Sequence, residues 1–183
     1  MQKHAQNADV LERRLGQFKS AGHLDDLFAI AAIREAISAL REGNFGAGCV
    51  LRHPSGKIIM QNHNRVFTPR FRSDAHAEML VVNEFERLHR ANVSKRGYIL
   101  YASLEPCPMC TARLITFGCE TVRYVTPDSH GGMVQLIEKL PGIWPKLASR
   151  QKWEQAICSP LLQGLALEVF EASLALNDVL QEH

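Results

Sequence analysis

The feature that most constrains this chain is a pair of short segments, His76-Ala77-Glu78 and Pro106-Cys107-Pro108-Met109-Cys110. One imidazole and two thiolates are borderline-soft donors suited to Zn²⁺, and three protein ligands leave a fourth tetrahedral position for water. An open position implies catalysis. Glu78 follows His76 too closely to serve as a fourth ligand if the turn aims its carboxylate at that water, and there it becomes a proton carrier. Any fold must bring the two segments together.

The stretch between them suggests how. Met79, Leu80, Val82, Phe85 and Leu88 predict a helix that begins with His76, capped by Ser73 or Asp74. Residues 92–97 form a loop, and Tyr98 to Ser103 is nearly continuously apolar, as in a strand buried on both faces. Pro106 ends that strand. Cys107 and Cys110 then fall in the first turn of a second helix running to Gly118, where Pro108 is tolerated because first-turn N–H groups lack intrahelical partners. Both segments thus sit at helix N-termini, where the dipole and free N–H groups favour thiolate.

Upstream, residues 9–19 read as a short amphipathic helix or a mobile arm. Asp25 is the expected N-cap of a helix whose apolar residues Leu27, Ile30, Ile33, Ile37 and Leu40 recur at spacings of three and four, ending at Gly43. Two strand-like runs, 46–52 and 57–62, flank the turn His53-Pro54-Ser55-Gly56 and form a hairpin. Residues 63–73 are a loop that interleaves Arg65, Arg70 and Arg72 with Phe67 and Phe71. It reads either as solvated charge or as a rim that attracts a phosphate or an anionic strand.

Downstream, Thr121 to Thr126 is a strand, the loop 127–132 should face the pocket, and a short helix covers 133–139. The next strand would follow by a parallel crossover. Residues 141–158, with Trp144 and Trp153, match no pattern. Ser159-Pro160 opens a helix expected to run to about Leu180. Its two apolar stripes, one through Leu161, Leu165 and Val169 and one through Leu167, Phe170 and Leu174, want cover on more than one side. It should pack across the sheet and contribute to a subunit interface.

A length of 183 residues suits one domain with a sizeable core. No run approaches the roughly 18 apolar residues of a membrane helix, and the first twenty residues mix charges among apolar positions. A cytoplasmic location is expected. Cys49, Cys119 and Cys158 read as buried thiols rather than a disulfide framework. A net charge of +2 is too small to announce a nucleic-acid surface and does not exclude one.

H-x-E combined with P-C-x-x-C is a signature of zinc-dependent nucleobase deaminases. Over residues 25–140 the chain resembles the cytidine deaminase-like superfamily, in the branch of bacterial guanine deaminases and tRNA adenosine deaminases. Asn44-Phe45-Gly46-Ala47 is similar to that branch's P-F-G-A and His63-Asn64-Arg65-Val66 to its x-N-x-V. Ala75-His76-Ala77-Glu78 resembles A-H-A-E, and Leu104-Glu105-Pro106-Cys107-Pro108-Met109-Cys110 resembles L-E-P-C-x-M-C. Asp74 departs from the branch's Thr or Ser, as an ordinary cap or as an extra carboxylate beside the metal.

The resemblance implies an α/β fold, three-layer α/β/α with a central mixed sheet of about five strands. It implies a single deaminase domain with its core at 25–140, an N-terminal arm and a C-terminal helical extension over 141–183. One Zn²⁺ would be held by His76, Cys107 and Cys110, with Glu78 catalytic. Asn64, Ala77, Phe45, Asp128 and His130 would contact substrate, and Glu105 would be a structural hydrogen-bonding carboxylate. The expected reaction replaces an amino group on a base or nucleoside by a carbonyl and releases ammonia. A guanine-like small molecule is favoured from Pro108 and the extended C-terminal segment. Adenosine in tRNA is the alternative substrate, and a non-catalytic zinc-stabilised subunit the alternative role. A homodimer is expected.

Overall fold

A computed structural model describes residues 2–19, 22–89 and 94–176. In chain order its elements are α1 (Gln2–Gln17), α2 (Asp26–Arg41), β1 (Gly48–Arg52), β2 (Ile58–His63), α3 (Ala77–Leu88), β3 (Ile99–Leu104), α4 (Pro108–Phe117) and β4 (Thr121–Thr126). A 3₁₀ helix (Val134–Lys139), α5 (Trp144–Ala148), β5 (Lys152–Gln155) and α6 (Pro160–Glu171) follow. The strands form one five-stranded sheet in the order β2-β1-β3-β4-β5. β1 is antiparallel to both neighbours, whereas β3, β4 and β5 run parallel.

Strand alternation explains the layers. Val50, Tyr101 and Val125 point to the face covered by α2 and α6, with α1 packed on those helices. Cys49, Leu51, Leu100, Ala102 and Val122 point to the opposite face, covered by α3 and α4. The three-layer α/β/α fold with a five-stranded mixed sheet is therefore as expected. Among the described residues no helix is long and apolar enough to cross a membrane.

Several elements differ from the expectation. α1 is a full helix because Ala8, Leu11 and Leu15 bury against its neighbours, and Arg41–Asp9, Arg34–Glu12 and Arg14–Glu168 ion pairs fasten its outer side. Ile33, Ile37 and Leu40 are buried as expected, joined by Ala29, Ala32 and Ala36, whereas Leu27 is 65% exposed. The alanines let β1 approach closely: a Cβ on Gly48 would stand 2.2 Å from the Ala32 carbonyl oxygen. Asp25 makes no side-chain cap. Its buried carboxylate accepts from the Tyr101 hydroxyl at 2.8 Å, from Arg123 Nη1 at 2.7 Å and from the Ile157 N–H at 2.7 Å.

The N-cap of α3 is His76, not Ser73 or Asp74. The α6 helix stops at Glu171, before Leu180, because the Ser173 hydroxyl turns inward to bond the Phe170 carbonyl and to accept from the Gly46 N–H. Val179 and Leu180 lie outside the described residues. Residues 152–155, left unassigned by the sequence, are the parallel edge strand β5.

His63 at the end of β2 clamps the sheet to α2. Its Nδ1 lies 2.8 Å from Glu35 Oε2 and its Nε2 3.1 Å from Glu42 Oε2. Carboxylates on both nitrogens call for the doubly protonated ring. Burial pulls its pKa down, but the hydrogen bonds to Glu35 and Glu42 outweigh burial and raise it above the ordinary value. A raised folded-state pKa contributes stability in full below the unfolded value of about 6.5, and that contribution is lost as pH rises through the folded value. Urea unfolding is therefore expected to show stability falling as pH climbs above about 6.5, with His63→Gln removing most of that slope; an unchanged slope would refute the clamp.

Candidate active site

The two ligand segments meet because α3 and α4 lie side by side on one face of the sheet and the carboxyl end of β3 leads directly into α4. His76 is the N-cap of α3 and Cys107 the N-cap of α4, with Pro108 at the helix start and Cys110 in the first turn. Their donor atoms all lie within 4.8 Å of one another. Zinc at about 2.3 Å from sulfur and about 2.0–2.1 Å from nitrogen, with tetrahedral angles, sets sulfur and nitrogen about 3.6 Å apart. Both Sγ atoms stand 3.6 Å from His76 Nδ1. Donor chemistry and spacing therefore fit zinc.

The electrostatics prepare the site. A hydrogen bond with Cys110 drives the Cys107 thiol down to about 4, with His76 assisting and burial opposing. Cys110 is pushed well above the usual thiol range by the same bond and by its own burial. Glu78, in the first turn of α3, is 7% exposed, and Cys110 Sγ lies 3.4 Å from its Oε2. Burial, then the neighbouring Cys107 charge, raises its carboxyl above the ordinary range. A carboxyl that exchanges its proton nearer neutrality suits proton transfer.

These residues open onto a cavity of about 270 Å³. Phe45, Asn64, His76, Glu78, Cys107 and Asp128 line it, so most of the residues singled out in the sequence converge. Asn64 Oδ1 accepts from the Val66 N–H at 3.0 Å, which leaves its amide nitrogen for other partners. Ala77 is fully buried behind the site. His130 does not join the group: it is exposed and borders a neighbouring cavity with Ser129 and Glu171, because the turn is closed by Asp128 Oδ1 accepting from the His130 and Gly131 N–H groups.

Glu105 is 3% exposed and accepts backbone N–H groups of Asp128, Val134 and Gln135, which moors the pocket loop. The Asp74 carboxylate is turned to Arg72 at 2.8 Å, whose guanidinium holds it below the usual carboxylate range. Phe170 of α6 also lines the cavity, a contribution the sequence reading missed. Its signal was the second apolar stripe of that helix.

Fold and donor set together define the zinc-dependent deaminases, hydrolases of carbon–nitrogen bonds. The model of the cytidine and deoxycytidylate deaminase zinc-binding region matches residues 23–126, and the chain belongs to that family. It is 37% identical over 131 residues to a tRNA-specific adenosine deaminase of Aquifex aeolicus, covering 70% of this chain and 83% of the relative. A solved structure from studies of A-to-I editing by tRNA:A34 deaminases is 26% identical, with a TM-score of 0.61 over 78% of this chain and 98% of that one. A guanine deaminase from Nitrosomonas europaea, 18% identical with a TM-score of 0.55 over 78% and 84% of the two chains, shares the fold.

Metal analysis of the purified protein is expected to give about one zinc per chain, and Cys107→Ala to lose it on dialysis. Chelator competition should weaken binding as pH falls, since protons compete for the thiolates. Full zinc retention by Cys107→Ala would rule out this ligand set.

Proposed function

We propose that the chain deaminates adenosine in transfer RNA to inosine, with His76, Cys107 and Cys110 holding the zinc and Glu78 as the proton carrier. The observation that carries this reading is the 37% identity to a tRNA-specific adenosine deaminase across 83% of its length. The guanine-like preference drawn from Pro108 and the C-terminal segment gives way to it, because the guanine deaminase likeness at 18% identity is one of fold alone.

A zinc ion held by His76, Cys107 and Cys110 would supply Lewis acidity toward a water in the cavity. Glu78 would take one proton from the attacking water and pass it to the adjacent ring nitrogen, then move the remaining hydroxyl proton to the departing amine, which leaves the carboxylate as it began. Water is consumed, ammonia leaves and a carbonyl remains. The position of Glu78, buried in the first turn of α3 with Oε2 3.4 Å from the Cys110 sulfur, supports this double role. Asn64 has its amide nitrogen free to donate to the base or sugar and Phe45, on the cavity wall, offers a ring, whereas Ala77 lies outside the lining and could contribute only through its backbone.

In the same reading the chain is a single-domain, cytoplasmic homodimer. Exposed Leu24, Leu27, Ile157 and Leu161 support an interface where the starts of α2 and α6 meet. Sedimentation equilibrium is expected to give twice the chain mass, and a monomer at micromolar concentration would remove the dimer.

The deciding experiment assays ammonia release and inosine formation by the zinc-loaded protein on unmodified tRNA, adenosine and guanine. Release from tRNA is expected, with Glu78→Gln slowing it by about 10²–10⁴-fold while zinc content is unchanged. Release from guanine and none from tRNA would overturn the substrate assignment.

A further inference from the structure

Phe71 stands out on the loop that follows β2. It is a large apolar side chain left 62% exposed, although burying such a ring is favourable. The loop that carries it is not slack. Asn44, fully buried, accepts from the Phe67 and Thr68 N–H groups at 2.8 and 2.9 Å, and its amide nitrogen reaches the Thr68 carbonyl at 3.4 Å. Backbone bonds from Arg65 to Ala75, from Arg72 to Val66 and from Ala75 to Arg72 close the loop on itself. The Arg72–Asp74 pair fixes its far side. The ring is therefore held outward by a braced scaffold.

Its neighbours give the exposure a direction. Phe45 lines the catalytic cavity; its ring centroid lies 5.1 Å from that of Phe67, and Phe67 lies 6.3 Å from Phe71. Three rings thus step from the cavity to the surface. Beside the outermost ring, Arg70 is exposed and makes no ion pair among the described residues. An aromatic face next to an unspent guanidinium is the combination that holds an unpaired nucleotide, stacking its base and neutralising its phosphate.

We propose that Phe71 is a stacking platform for the base next to the one that enters the cavity, with Arg70 contacting the adjoining phosphate. This rests on the RNA reading above. A protein partner would want a contiguous apolar patch, whereas here a single ring is flanked by arginines. The brace from Asn44 means that little ordering remains to be done when the strand arrives.

The test uses the full-length zinc-loaded protein and an RNA stem-loop with an adenosine in an unpaired loop. Phe71→Ala is expected to raise KM by about 5- to 150-fold, the range for one stacked base, with kcat held because the ring does not touch the reacting atoms. Phe71→Trp should restore KM, and Arg70→Ala should raise it with a shallower salt dependence. An abasic nucleotide at one position flanking the adenosine should raise KM for the parent enzyme and have no further effect on Phe71→Ala. A merely structural role would not produce that coincidence. Unchanged KM in Phe71→Ala, or abasic and protein effects that simply multiply, would overturn the platform while leaving RNA deamination standing. Absence of any turnover of RNA, with turnover of a free base, would remove both.

Discussion

His76 and Cys107 are 31 residues apart in the chain and 3.6 Å apart at their donor atoms, and the passage α3–β3–α4 is what keeps them there. A helix N-terminus presents unpaired N–H groups and a partial positive charge. Placing two of them side by side creates a spot where thiolates and a carboxylate can be buried with less penalty than an ordinary interior would impose. The Cys107 thiol, depressed chiefly by its hydrogen bond with Cys110, occupies that spot, and Glu78 stands beside it, 3.4 Å from the Cys110 sulfur. The central strand β3, buried along nearly its whole length, delivers the chain to α4, while α3 packs on β1 and β2 and against α4.

The opposite layer has a different task. α2 is alanine-rich and lies so close to β1 that a methyl group at Gly48 would collide with its backbone; overpacking of this kind costs about 1–3 kcal/mol or more. α6 makes a comparable approach at Gly46, where a Cβ would stand 2.3 Å from the Val169 carbonyl oxygen. The two glycines bracket Ala47, a cavity-lining residue. Catalytic pocket and back layer therefore share one wall, and Phe170 completes it from α6.

The parts of this architecture that were legible in the sequence are those set by local chemistry. Metal-donor spacing, the Pro-Gly turn between β1 and β2, the apolar run of β3 and the Ser-Pro start of α6 each carry their reason within a few residues. What could not be read depends on distant partners. β5 is a polar four-residue segment that becomes a strand only by pairing with β4. Asp25 has the side chain and position of an N-cap, yet Arg123 and Tyr101, far along the chain, outcompete the helix for its carboxylate. α6 keeps its apolar pattern past Glu171, but the Ser173 contact with Gly46 turns the chain aside. His130 looked like a pocket residue because its loop does face the pocket; the tight turn at Asp128 sends it elsewhere.

Asn44 carries a consequence for how such a site can diversify. Where the branch it resembles has proline, this chain has an amide that supports the Arg65–Ala75 loop from beneath, through contacts with backbone rather than with side chains. The shape of the loop is thus decoupled from the identity of its outward residues. Arg70 and Phe71 can therefore differ without touching the Asn44 bonds that hold the loop, so the side chains displayed there and the metal centre are free to change independently of each other.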